Sequence, residues 1–152
     1  MPVSGKRNRP NRNVPLTAGL QEFLNNNPID NLTEEVVVSP RFKDEKGNLM
    51  KFKIKAMTSR DFDEIRRSAM QIKKGRKVEF DAQKFNLQVV IRNTLVPDFK
   101  DAASIRKLGC HTPEEYVEKV LLAGEVATLA QKIQELSGFD VEMDELVEEA
   151  KN

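Results

Sequence analysis

The sequence predicts an α+β fold: a mostly helical domain of about five to six helices with one antiparallel β-hairpin, and a third short strand as an optional addition. Three observations predict it. Met50, Phe52, Ile54 and Ala56 alternate with Lys51, Lys53 and Lys55, which is a strand with one buried and one wet face. Elsewhere apolar residues recur in steps of three and four, the period of a helix face. Thr112-Pro113-Glu114-Glu115 then combines an N-cap, a proline at the first helical position and a glutamate at the third.

Each element follows in order. Leu16, Leu20, Phe23 and Leu24 mark one face of a short helix, with Thr17 as its expected N-cap and Asn25 to Pro28 as its stop. Val36, Val38 and Phe42 share a period-two face that precedes the Met50–Ala56 run. Asp44 to Asn48 between them reads as a hairpin loop, not a calcium loop, because the ligand alternation and closing glutamate are missing. Pro40 donates nothing to a ladder and marks the first strand as an edge or bulged one. A helix is expected over 59–72, opened by a Thr58/Asp61 capping box, carrying Phe62, Ile65, Ala69 and Ile72 on one face and closed by Lys73-Lys74-Gly75-Arg76-Lys77. Val78 and Phe80 supply the third short strand. Asp81 caps a helix over 82–95 whose apolar residues cover most of its circumference, so it is expected at the centre of the core. A short helix over 101–108 stops at Gly109. After Thr112 comes a long apolar run with Leu122, Val126, Leu129, Ile133 and Leu136 on one stripe. Gly124 is expected to break that run and Gly138 to cap it.

Charge divides the chain further. Residues 1–15 hold Lys6, Arg7, Arg9 and Arg12 and no acid, and are expected to be a basic flexible arm. Residues 16–139 form the single α+β domain. Residues 140–152 hold six acids against Lys151, with Met143, Leu146, Val147 and Ala150 at helical spacing: an acidic amphipathic C-terminal segment. The 25 basic and 24 acidic residues of the whole chain cancel, which argues against nucleic acid as a partner. No apolar run is long enough to span a bilayer, and the first thirty residues carry no signal-peptide pattern, so a cytoplasmic protein is expected.

Little here suggests catalysis. One cysteine and one histidine exclude an internal disulfide and leave no zinc-ligand spacing. Cys110 and His111 are adjacent, and adjacent side chains rarely reach nucleophile–base geometry. Asp61, Asp63 and Glu64 sit at a helix start, where the dipole stabilises carboxylates without any active site. No catalytic residue, cofactor site or metal site is expected.

The order of the blocks resembles the XkdN-like tail assembly chaperones of bacteriophages and phage-derived contractile particles. The matching blocks are Glu34 to Asp44, Leu49 to Met57 with Thr58 opening a helix, Val96 to Ala102, Leu121 to Glu125, and Ile133, Leu136 and Ser137 to Phe139. Ala123 stands where the family commonly has proline. The resemblance implies a non-enzymatic assembly factor in the cytoplasm of the bacterial host. It would hold the tape measure protein of a contractile tail, phage or prophage, soluble until the tail tube protein polymerises around it. Such a client exposes long apolar helical faces, an aggregation hazard that amphipathic faces on a chaperone can cover. The partner-binding candidates are Leu16, Leu20, Phe23 and Leu24, and Met143, Leu146, Val147 and Ala150. The oppositely charged arm and tail allow weak self-association. The alternative is a small nucleic-acid-binding protein using Arg7, Arg9, Arg12, Lys73, Lys74, Arg76 and Lys77.

Overall fold

A computed structural model describes residues 17–75 and 77–139. The Leu16, Met143, Leu146, Val147 and Ala150 candidates, Arg76, the basic arm 1–15 and the acidic segment 140–152 lie outside them. The described residues contain six α-helices and two antiparallel sheets, in keeping with the expected α+β class.

The first helix, α1 (Leu20–Asn26), is entered through Gly19 (φ 89°), not through a Thr17 side-chain cap. Strands β1 (Thr33–Val36) and β2 (Phe52–Lys55) pair antiparallel, with Val36 opposite Phe52 and Glu34 opposite Ile54. Phe52, Ile54 and Ala56 are buried and Lys53 is exposed, as the alternation predicts. Met50 departs from it: it lies outside the strand, exposed, its N–H donating to the Phe42 carbonyl at 2.8 Å. In the connecting loop one oxygen of Asp44, Oδ1, accepts the N–H groups of both Lys46 (2.8 Å) and Asn48 (2.9 Å), the side-chain-to-backbone bonding of a turn. β1 is an edge strand and stops before Pro40.

Helix α2 (Ser59–Ser68) opens with the expected capping box: Thr58 accepts from the Asp61 N–H, and Asp61 accepts from the Thr58 N–H. It ends four residues short of the expected bound. Met70–Lys73 is strand β3, and it pairs with β4 (Lys77–Phe80) as a separate two-stranded hairpin. Ile72 satisfies a helical and a period-two template at once. Cross-strand pairing of Met70 with Phe80 and Ile72 with Val78 decides in favour of the strand. Gly75 (φ 83°) serves the turn of that hairpin, where a side chain would be strained, and not a helix end. The strand expected at Val78 and Phe80 therefore exists, but outside the main sheet.

Helix α3 (Ala82–Asn93) is capped by Asp81, which accepts from the Lys84 N–H at 3.0 Å. It stops two residues before the expected end. Thr94–Val96 is instead β5, the third strand of the main sheet, in the order β1-β2-β5. Pairing with β2, Ile54 opposite Thr94 and Lys53 opposite Val96, draws these residues into the sheet, and Pro97 keeps Val96 out of the helical region.

Helices α4 (Ala102–Lys107), α5 (Pro113–Val120) and α6 (Ala123–Leu136) complete the domain. Asp101 caps α4, and Thr112 caps α5 by accepting from Glu115 N–H at 3.1 Å. The chain breaks between α5 and α6 at Leu121 and Leu122, not at Gly124, which lies inside α6. Ala123 is the first residue of α6, a position that suits proline equally well. Gly138 (φ 97°) ends α6 in the left-handed turn its sequence predicts, and the Phe139 N–H returns to the Gln134 carbonyl at 2.9 Å. The core lies where α3 packs along α6, with β1 and β2 against another side of α6. Val89, Val90, Leu129 and Ile133 are buried there, and Phe99 and Phe52 join it from the sheet side.

Candidate partner-binding surfaces

Two apolar faces of the described chain stand open. The first is α1. Leu20, Phe23 and Leu24 are 54, 60 and 56% exposed, and the helix buries no residue at all. Ile29 and Leu32, just beyond it, are also exposed. A seven-residue helix gains little from its own hydrogen bonds. Its three large side chains add nothing to the core, which marks them as a surface.

The second face is the β3–β4 hairpin, which the sequence reading missed. Met70, Ile72, Val78 and Phe80 alternate with Gln71, Lys73, Lys77 and Glu79, and pair across the strands. All four apolar residues therefore share one face. Ile72 is 81% exposed and Val78 57%. The base of the face is held: Phe80 packs on Phe85 at 5.4 Å, and Gln71 donates to Asp81 from the other side. The signal was present as two short alternating runs either side of a Lys-Lys-Gly turn, hidden by the helical template that also fits Ile72.

Between α3, α5 and the start of α6 lies an open groove of about 670 Å³. Leu87, Leu121 and Val126 form its apolar part, and Asp81, Lys84, Glu114 and Glu118 its charged part.

One ion pair locks the frame that carries these surfaces. Arg41, in the loop after β1, donates to both carboxylate oxygens of Glu125 (2.7 and 3.0 Å) and to the Val120 carbonyl at 2.9 Å. The Glu125 side chain, 5% exposed, also accepts the Leu122 N–H at 2.7 Å. The sheet loop is thus tied to the end of α5 and the beginning of α6. The Arg41 hydrogen bonds hold the Glu125 carboxyl down at about 2 against the cost of burying its charge. Ser137 adds a second tie, its hydroxyl accepting the Met57 N–H at 2.9 Å. Arg41, Met57, Glu125 and Ser137 all belong to the blocks that carry the family resemblance. Those blocks hold the fold together.

Several other polar residues singled out by sequence have structural partners. Asp63 pairs with Arg66 and Arg67, Glu64 with Arg60 and Arg92. Cys110 is buried, and the His111 N–H donates to Glu115. Among the described residues no helix is long and apolar enough to cross a membrane.

Comparison with known proteins gives these surfaces a context. A family profile described as phage XkdN-like tail assembly chaperone protein matches residues 20–151. Two proteins of Bacillus subtilis (strain 168) are similar over most of their length. The phage-like element PBSX protein XkdN is 32% identical over 138 residues, and the uncharacterized protein YqbN is 33% identical over 138 residues. Each alignment covers 88% of this chain and 93% of the relative. The crystal structure of YqbN superposes with a TM-score of 0.57 at 31% identity, covering 70% of this chain and 85% of that one. The matched span starts at α1 and includes the C-terminal stripe, while the basic arm falls outside it.

Proposed function

This chain belongs to the phage XkdN-like tail assembly chaperones, and on that premise we propose that its client is the tape measure protein. It binds the client's apolar helical faces in the cytoplasm of the bacterial host and keeps them from aggregating until the tail tube protein polymerises around them. The work is done by covering surface, with no catalysed reaction.

One observation carries this reading. The α1 face presents Leu20, Phe23 and Leu24 to solvent on a helix that contributes nothing to the core. A patch of that kind on a domain with a closed core marks a protein-binding site. Side chains at helical spacing complement the stripe of a partner helix. Met143, Leu146, Val147 and Ala150 offer a second stripe of the same spacing.

The test is co-expression with the tape measure protein of the same phage element. A Leu20→Asp/Phe23→Asp/Leu24→Asp variant is expected to keep its circular dichroism spectrum and its melting transition. The client should move from the soluble fraction to the pellet. A client that stays as soluble with the variant as with the unmodified chain overturns the reading.

A further inference from the structure

We propose that the open face of the β3–β4 hairpin is a docking site for residues 140–152 of the same chain. Three observations point to this occupant. The first is the face itself. An isolated two-stranded hairpin is marginal in water, yet this one turns Ile72 and Val78 outward. The second is charge. The hairpin's tip reads Lys73-Lys74-Gly75-Arg76-Lys77, and Lys74 and Lys77 are exposed beside the apolar face. Residues 140–152 carry six acids and one lysine around Met143, Leu146, Val147 and Ala150. An acidic apolar stripe thus has a basic-tipped apolar face to meet, and the pairing is selective because the sign is opposite.

The third observation is where the segment begins. The turn at Gly138 sends Phe139 back onto Phe62, ring centroids 4.9 Å apart. Phe62 meets Phe85 at 5.8 Å, and Phe85 meets Phe80 of the hairpin face at 5.4 Å. Residue 140 therefore starts three ring-to-ring steps from the face. Its thirteen residues would measure about 20 Å as a helix, enough to lie along a four-residue hairpin. The aromatic row forms the floor that leads the segment to its site. In this arrangement the chain covers its own hairpin, and a client that engages the stripe must first lift it off. The inference concerns the free chain and stands whatever the client is.

Disulfide trapping in the full chain tests it. In a Cys110→Ser background, Val78→Cys is paired with Val147→Cys and oxidised mildly. Val78 is exposed, so its replacement leaves the fold intact. The expected product is a cross-linked monomer, formed roughly a hundredfold faster than any cross-linked dimer in dilute solution, because a short tether holds its ends at millimolar effective concentration. Glu79→Cys, on the opposite face, should react roughly tenfold more slowly with Val147→Cys. The second measurement is amide exchange at Ile72 and Val78, which should speed up on deletion of 140–152 and in high salt. A cross-linked dimer would assign the face to a second copy and overturn the proposal. Equal trapping at Val78 and Glu79 overturns it too. So does hairpin exchange that ignores the deletion but slows when client is added, which would assign the face to the client.

Discussion

The α3–α6 interface and the β3–β4 hairpin use the same kinds of side chain and dispose of them in opposite ways. Along α3 and α6, Val89, Val90, Leu129 and Ile133 are all buried. On the hairpin, Ile72 and Val78, no less apolar, face solvent across a strand pair that is regular in its register. The difference lies in the polar ties around them. Arg41, Glu125 and Ser137 bind the sheet to α5 and α6, so the core has one arrangement. The hairpin is tied to the helices at its base, by Phe80 on Phe85 and Gln71 on Asp81. A chaperone needs both: a frame that does not yield, and apolar surface not yet committed to it.

The sharpest way to break this comparison is to remove one large side chain from each region. Phe52→Ala should cost about 3–5 kcal/mol, because Phe52 is buried against Phe42 and Phe99 and its cavity cannot easily collapse. In a chain shortened after residue 139, where nothing from the C-terminal segment can cover the hairpin, Ile72→Ala should stay within about 0.5 kcal/mol. Denaturant unfolding of both variants checks the pair. Similar losses would mean that the hairpin is part of the core after all.

A smaller effect tests the frame. Glu125→Gln keeps the shape of the side chain and removes its charge, and should cost about 2 kcal/mol at neutral pH, the worth of its charge-assisted hydrogen bonds. The dependence on pH has a definite sign. Folded Glu125 titrates at about 2, below its ordinary 4.5, so as the pH falls the unfolded chain takes up the proton first. The stabilisation is complete above pH 4.5 and is lost as the pH falls towards 2. Unfolding of the two proteins across that range should show the gap between them closing. A gap that stays constant with pH would mean that the charge is not what holds the loop.

Much of the frame was legible because its signals are local. Thr58 with Asp61, Asp81 with Lys84, and Thr112 with Glu115 are caps three residues apart, and each forms as its spacing predicts. The misreadings fall where one residue fits two templates. Ile72 completes a helical face and a period-two run, and Leu95 continues an apolar helix as readily as it fits a strand before Pro97. Which template wins depends on partners far along the chain: Phe80 and Val78 for β3, Lys53 and Ile54 for β5. The Arg41–Glu125 pair spans 84 residues and leaves no periodic trace, although both members sit inside family blocks. The α1 face was legible as apolar, but its exposure was not. Periodicity reports that a face exists and not whether anything covers it.

That ambiguity sets the next contrast. The Leu20→Asp/Phe23→Asp/Leu24→Asp variant should change stability by less than about 1 kcal/mol, since exposed positions contribute little to folding. Its effect belongs to the client alone. Unfolding midpoints beside client solubility separate the two, and a large loss of stability would move α1 from the surface into the frame.

The smallest effect is expected from the basic arm. Residues 1–13 hold all four of its cations and lie outside the family match, which begins at residue 20. Their natural complement is the acidic segment at the other end, within one chain or between two. Exposed ion pairs contribute only about 0–1 kcal/mol each, and salt at physiological strength screens charges beyond about 8 Å. Such an attraction biases self-association and is too weak to hold it. Removing residues 1–13 should therefore leave the unfolding transition and client solubility unchanged, and reduce self-association only at low salt. Sedimentation of the full and shortened chains at two salt concentrations measures this directly. Loss of client binding that persists at high salt would make the arm a specific contact, and the division between a fixed frame and two open apolar faces would need a third surface.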